Sequence, residues 1–198
     1  YFDASVKTPS NPFTFQVTCL DVEFTFHSDH GVFAKEGLDF ASRLLIENVT
    51  LSPDDTCLDL GCGIGVIGLI LAKVNGVKMT CSDVNERALA LTQKNAENLQ
   101  LDVNVVNSDG FSTLHGTFDQ IISNPPIRIG KTALYALLKA ALDHLNPGGS
   151  LWVVMHKKHG VESLIQSFQS LARIETVTRK KGFKVLRLTQ AVDDLTVM

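Results

Sequence analysis

Cys57-Leu58-Asp59-Leu60-Gly61-Cys62-Gly63-Ile64-Gly65-Val66-Ile67-Gly68 joins a short apolar run to four glycines within eight residues, directly ahead of a mostly apolar helical stretch. A glycine has no Cβ, so the backbone can turn sharply and approach a ligand closely, and a helix start offers N–H donors that lack intrahelical partners. The stretch predicts a strand over Thr56–Leu60, a ligand-facing turn and a helix over Gly65–Val74. In an open α/β sheet such a turn lies beyond the carboxyl ends of the strands, where ligands bind.

Working outward, the same alternation continues. Strands are predicted over Val77–Ser82, Val103–Asn107, Phe118–Ser123 and Ser150–Met155, with helices over Asn85–Asn98, Ala133–Leu145 and Val161–Leu171. Asn85 caps its helix, and Asn146-Pro147-Gly148-Gly149 closes the next. Ile174–Arg179 and Phe183–Leu188 form a hairpin around Lys181-Gly182. Helix-length crossovers imply right-handed βαβ units, hence a parallel sheet covered on both faces. Upstream, Phe13–Val17 and Val22–Phe26 read as a β-hairpin around Leu20-Asp21, and Leu38–Val49 puts Leu38, Ser42, Leu45, Ile46 and Val49 on one helical face. The expectation is a Rossmann-like α/β fold, one domain over residues 1–198. Residues 1–50 form a hairpin and helix extension, and 51–198 a cofactor-binding and catalytic core.

At 198 residues, 44% hydrophobic and 20% charged, the chain is neither disordered nor a disulfide scaffold. Its longest apolar run, Val66 to Ala72, is far too short to span a bilayer. Cys19, Cys57, Cys62 and Cys81 show neither CxxC nor zinc spacing, so no metal site is expected, and reduced thiols in a cytoplasmic protein are the reading. Tyr1 in place of Met suggests a trimmed chain, which leaves a removed leader open. Net charge is only −3, but residues 156–187 carry 8 Lys and Arg against 2 acids, and residues 1–155 carry 10 against 17. This asymmetry suits an anionic partner such as RNA; a solvated edge hairpin guarded by lysines is the even alternative.

Read from Gly63, the loop also fits GxGxxG, with Asp83 twenty residues on, so a dinucleotide stays open as cofactor. Asp59, just before the glycines, would repel a pyrophosphate but suits the ammonium and sulfonium charges of S-adenosylmethionine. Asp83 could accept from both ribose hydroxyls, with Val84 packing beside adenine and Asp109 accepting from the adenine amine; an N-cap for the Asn85 helix and an ordinary Asp109-Gly110 turn are the alternative readings of the two acids. A second motif, Ser123-Asn124-Pro125-Pro126-Ile127, follows the Phe118–Ser123 strand and falls on the same sheet edge. Its prolines make a rigid turn with free carbonyls. The Asn124 side-chain oxygen and the Pro125 carbonyl can together accept both hydrogens of a planar amine, aiming its lone pair at an electrophilic methyl group. A hydride-transferring enzyme has no evident use for this.

Asp59-Leu60-Gly61-Cys62-Gly63-Ile64-Gly65 with Asn124-Pro125-Pro126 resembles the class I S-adenosylmethionine-dependent methyltransferases that methylate amines. Gly31-Val32-Phe33-Ala34-Lys35 with Leu38-Asp39 and Leu44-Leu45 is similar to the segment preceding the catalytic domain in bacterial small-subunit ribosomal RNA guanine-N2 methyltransferases. Ser123 to Lys131 resembles the active-site loop of their short, single-domain relatives. The resemblance implies a seven-stranded sheet, S-adenosylmethionine as donor, and a guanine amine in ribosomal RNA or a ribosomal subunit as acceptor. It implies donor contacts at Asp59, Gly61, Gly63, Gly65, Asp83, Val84, Asp109 and Asn124, with Asn124, Pro125 and Pro126 at the reacting amine. Ile127, Arg128, Phe33 and Lys35 are the candidate acceptor-side residues, although Phe33 and Lys35 suit a hydrophobic staple and a solvated charge equally well. Ile127 stands where such enzymes often carry an aromatic residue, which disfavours adenine-N6 and protein-glutamine acceptors. His156 and His159 read as loop or helix-end residues rather than a general base. The alternatives are a methyltransferase of protein glutamine or small molecules, a noncatalytic RNA-binding domain, and an NAD-dependent oxidoreductase.

Overall fold

The strand ahead of the glycine loop, β3 (Thr56–Leu60), is an interior strand of a seven-stranded sheet. A computed structural model describes residues 7–32 and 37–191. In chain order the elements are β1 (Phe13–Cys19), β2 (Val22–Ser28), α1 (Phe40–Asn48), β3, α2 (Val66–Asn75), β4 (Lys78–Asp83), α3 (Glu86–Asn98), β5 (Asn104–Asn107) and β6 (Phe118–Ser123). After them come α4 (Lys131–Asp143), β7 (Leu145–His156), α5 (Val161–Phe168), β8 (Ala172–Lys180) and β9 (Phe183–Gln190). The sheet order is β5-β4-β3-β6-β7-β9-β8, and β1 and β2 pair separately. Strands β3 to β7 are mutually parallel; β9 runs antiparallel to both β7 and β8. Strand order reverses between β3 and β6, which makes that junction the switch point where α/β sheets bind ligands.

Local sequence explains the ends of these elements. Asp39 caps α1 by accepting from the Ser42 N–H at 3.0 Å, and Asn85 caps α3 by accepting from the Ala88 N–H at 3.0 Å. Leu20 and Asp21 both take positive φ, 51° and 61°, as do Lys181 and Gly182, 50° and 80°. Paired positive φ values match the two-residue turn whose twist suits a hairpin. The stretch read as a helix stop, Asn146-Pro147-Gly148-Gly149, is instead the irregular entry of β7. Leu145 already pairs with Phe118, the register shifts before Gln120, and the Asn146 amide donates to Asp119 at 2.8 Å. Helix α5 ends at Phe168, where the Leu171 N–H closes a turn on the Phe168 carbonyl at 2.9 Å and leaves Leu171 exposed.

Two apolar layers hold the sheet. On one face Phe24, Phe26, Leu45, Ile46, Ile70 and Ala88 pack against Cys57, Ile122 and Trp152; on the other Leu134, Leu138, Leu164 and Phe168 pack against Leu58, Ile121 and Leu151. The first layer belongs to β1, β2 and α1 to α3, the second to α4 and α5. Because neighbouring residues of a strand face opposite layers, the residue types along each strand sort its side chains between the two.

Candidate functional site

Period-two alternation carries selected side chains to one face of the carboxyl-terminal edge. In β3 Cys57 faces the α1–α3 layer, as do Met79 and Cys81 in β4, Ile122 in β6, Trp152 and Val154 in β7, and Val185 in β9. Counting by twos along the strands brings Asp59, Asp83, Asn124, His156 and Phe183 to that same face. The two motifs therefore meet on adjacent strands, beneath the same helices.

The Asp59 carboxylate is buried and accepts from the Gly68 N–H at 2.8 Å. Gly65, the N-cap residue of α2, has no side chain to cap the helix, so Asp59 supplies the missing acceptor from the strand beneath. Burial raises its pKa to about 7; the Gly68 bond opposes the rise and the Asp83 charge adds to it. A Cβ on Gly68 would sit 2.9 Å from both Asp59 Oδ2 and Cys81 Sγ, so glycine there is a packing requirement. Burial likewise drives the Cys57 thiol up to about 12 and the Cys62 thiol well above its usual value, so neither is a poised nucleophile.

The loop is braced from two sides. Gly61 and Cys62 donate to the Ser82 carbonyl at 2.9 and 2.8 Å, and Gly63 donates to Asp83 Oδ2 at 2.8 Å. Thr92 Oγ1 donates to the Gly63 carbonyl at 2.8 Å, and Asn95 Nδ2 to the Ile64 carbonyl at 3.0 Å. Gly61 and Gly63 have φ of 73° and 56°, and at both positions no atom lies within 4 Å of where a Cβ would stand. Gly65 differs: its Cβ would lie 2.9 Å from Thr92. Open backbone at Gly61 and Gly63 beside a braced turn leaves room for a ligand to approach closely.

Asp83 ends β4 with its second oxygen accepting from the Asn85 N–H at 2.9 Å. A carboxylate offers about four lone-pair sites, so two of its acceptor positions remain for a ligand's hydroxyls. Val84 is half-buried beside it, and Asp109 is exposed after β5, whose following residue Ser108 donates to the Asp83 carbonyl at 3.0 Å. Phe33 and Lys35 lie outside the described residues.

Asn124 Nδ2 donates to Ser42 Oγ at 3.0 Å. Ser42 is buried in α1, 82 residues earlier in the chain. With its nitrogen held, the amide has one free orientation, and Oδ1 is left as an acceptor. Pro125 is buried, and its carbonyl takes part in no hydrogen bond among the described residues. Past Pro126 the chain makes a single 3-10 turn, Ile127–Ile129, with Ile127 half-buried and Arg128 exposed. His156 spends Nδ1 on the Lys158 N–H at 3.1 Å and packs its ring on Phe183, which makes it a turn cap.

Ser42, Thr92 and Asn95 are the residues that motif reading passes over. Each is a polar group on the inner, apolar face of a helix, and Thr92 and Asn95 stand three apart, so they share that face. A buried polar side chain implies a partner, but only the fold says which.

The methyltransferase small domain model matches residues 23–187. The chain belongs to the methyltransferase small domain family. Among relatives of this methyltransferase, YbxB of Bacillus subtilis (strain 168) is 39% identical over 195 residues, covering 94% of this chain and 96% of its own. Ribosomal RNA small subunit methyltransferase C of Erwinia tasmaniensis is 39% identical over 174 residues, covering 85% of this chain and 50% of its own. The solved 16S rRNA N2 methyltransferase RsmC of T. thermophilus, in complex with AdoMet and guanosine, superposes with a TM-score of 0.82 at 28% identity, over 92% of this chain and 52% of its own. The methyltransferase thus spans about half the length of the ribosomal RNA enzymes it matches. The fold class and family expected from the two motifs are those found. No helix among the described residues is long and apolar enough to cross a membrane.

Proposed function

We propose that this chain methylates the exocyclic N2 amine of a guanine in ribosomal RNA, with S-adenosylmethionine as the donor. The observation that carries the reading is the Asn124 amide, tied through its nitrogen to Ser42 at the edge shared with the glycine loop. The residues present fit the cofactor: open backbone at Gly61 and Gly63, spare acceptor positions on Asp83, and Val84 and Asp109 at neighbouring strand ends. S-Adenosylmethionine, when bound, supplies a methyl group on a positively charged sulfur. Asp59, buried beneath the loop with its pKa raised to about 7, adds a partial negative potential near neutral pH that favours such a ligand over a pyrophosphate.

Asn124 Oδ1 and the Pro125 carbonyl accept the two hydrogens of the target amine, which holds the nitrogen in place and turns its lone pair outward. As that nitrogen gains positive charge, the same two acceptors stabilise it without reorganising. As the N–CH3 bond forms, the S–CH3 bond would break and S-adenosylhomocysteine leave, and the amine proton leaves late to water, so no strongly basic side chain is needed, in keeping with His156 serving as a turn cap. Ile127 and Arg128 flank the acceptor side. The guanine reading draws on the likeness to RsmC and on Ile127, which lacks an aromatic face for stacking an adenine.

Incubating the chain with S-adenosylmethionine bearing a labelled methyl group and naked 16S RNA, small subunits or protein fractions tests the reading. The expected product on nuclease digestion is N2-methylguanosine. Label only in glutamine or in N6-methyladenosine would contradict the acceptor, and no transfer by a chain that binds the donor would leave the noncatalytic RNA-binding alternative standing.

A further inference from the structure

The topology gathers the basic excess of the carboxyl-terminal segment at the edge that holds the site. β7 runs into Lys157, Lys158 and His159, all exposed. β9 returns antiparallel with Phe183 opposite His156, which brings the β8–β9 tip, with Lys180 and Lys181 exposed and Gly182 half-buried, to the same edge. Ser123 stands opposite Val153, and Val153 precedes His156 by three residues. The tip therefore lies just past the level at which β6 ends, two strand spacings or roughly 10 Å across the sheet from the segment that carries Asn124.

This tip is held firmly. The Lys157 N–H donates to the Gly182 carbonyl at 2.8 Å, and the His156 ring closes on Gly182 so tightly that a Cβ there would lie 2.6 Å from Nε2. Lys181 Nζ sits 4.9 Å above the Phe40 ring, which packs on Phe183 at 5.6 Å. Of the segment's two acids, Glu162 is paired with Lys184, and Glu175 pairs in the sheet opposite Arg187. Lys157, Lys158, Lys180 and Lys181 have no carboxylate partner among the described residues.

We propose that Lys157, Lys158, Lys180 and Lys181 form a rim that binds the phosphates of single-stranded RNA flanking the methylated nucleotide. The inference rests on the RNA reading above and names the surface that would deliver it. Exposed ammonium groups on flexible stems suit phosphates as point charges. The half-buried Phe40–Phe183 pair lies among them, with Lys181 over Phe40 and His156 against Phe183, so a base stacks on Phe40 only by displacing Lys181, whose ammonium a flanking phosphate draws away. An acidic protein segment would also meet the charge but has no use for the rings.

The test compares wild type, a Lys157→Gln/Lys158→Gln/Lys180→Gln/Lys181→Gln variant and a remote control, Lys78→Gln/Lys94→Gln. Each is titrated with a short single-stranded RNA, with polyglutamate and with S-adenosylmethionine. Four phosphate contacts on single-stranded RNA contribute a slope of about 2.8 in log affinity against log salt. Raising salt from about 50 to about 200 mM should weaken wild type about fifty-fold more than the rim variant. The control should keep the wild-type slope, and all three should bind S-adenosylmethionine alike, which also reports that they fold. The two pair variants, Lys157→Gln/Lys158→Gln and Lys180→Gln/Lys181→Gln, should each remove about half the slope. An unchanged slope in the rim variant, an equal loss in the control, or a loss confined to polyglutamate overturns the rim while leaving RNA as substrate. A wild-type chain that binds donor but no RNA overturns both.

Discussion

Ser42 fixes a side chain from which it is 82 residues distant, and in the proposed reaction that side chain orients the amine. It holds the Asn124 nitrogen at 3.0 Å, so Ser42→Ala frees the amide to rotate while leaving the glycine loop untouched. Loss of one preorganised group aimed at developing charge costs about 10²–10³ in rate, and that is the expectation for Asn124→Ala. Ser42→Ala should lose about tenfold in kcat, a part of that range, with unchanged donor affinity, and Ser42→Thr should restore most of it. A Ser42→Ala enzyme with wild-type kcat would show that the amide needs no anchor. Asp59 gives a second prediction. Its folded pKa of about 7 stands above the ordinary aspartate value of 3.8, so the folded state binds this proton more tightly than the unfolded state does. The stabilisation is complete below the unfolded value and is lost as pH rises through the folded one. Asp59→Asn keeps an oxygen for the Gly68 N–H and removes the titration. Between pH 5 and 7 wild type should lose about 2 kcal/mol relative to Asp59→Asn. Thermal melts in which the difference stays constant with pH would refute that origin.

Among elements, the hairpin of β1 and β2 is joined to the glycine loop through α3. Asn95 accepts from the His27 N–H at 2.7 Å and donates to the carbonyls of His27 and Ile64 at 3.0 Å each. Three bonds from one fully buried side chain fasten a strand outside the main sheet to the turn that borders the open crevice. Asn95→Ala should cost about 2–3 kcal/mol by stranding buried backbone groups and lower the melting temperature by roughly 5–10 °C. Because the Ile64 carbonyl is released with it, S-adenosylmethionine should also bind several-fold more weakly. Calorimetry that finds lowered stability but unchanged donor affinity would confine Asn95 to the hairpin. The elements themselves were largely legible. Asn85 announced α3, the glycines announced the β3–α2 turn, and the Lys181-Gly182 pair announced the last hairpin. The β7 entry was not legible, because Asn-Pro-Gly-Gly is a stop signal by local chemistry and only the Asn146 bond to Asp119 draws it into the strand.

Across the whole molecule, sequence spacing located the two motifs on one edge because parallel strands joined by helices all end on the same side. What spacing could not reach were contacts between distant positions on the chain. Ser42 read as one more residue on a helix face, and Asp59 read as a ligand-facing charge, whereas the fold turns it under the loop to cap α2. The placement of the lysine rim beside Asn124 depends equally on β9 entering the sheet antiparallel between β7 and β8, which composition alone does not dictate. These pieces converge on the proposed arrangement, in which the glycine loop would cradle the donor and Asn124 would accept the amine beside it, beneath α1 to α3. Co-crystallisation with S-adenosylhomocysteine and guanosine tests it most directly. The account predicts the sulfur between the glycine loop and Asn124, with the guanine N2 about 3 Å from Asn124 Oδ1; a nucleoside bound with its N2 turned away from Asn124, or a cofactor remote from Gly61 and Gly63, would contradict it.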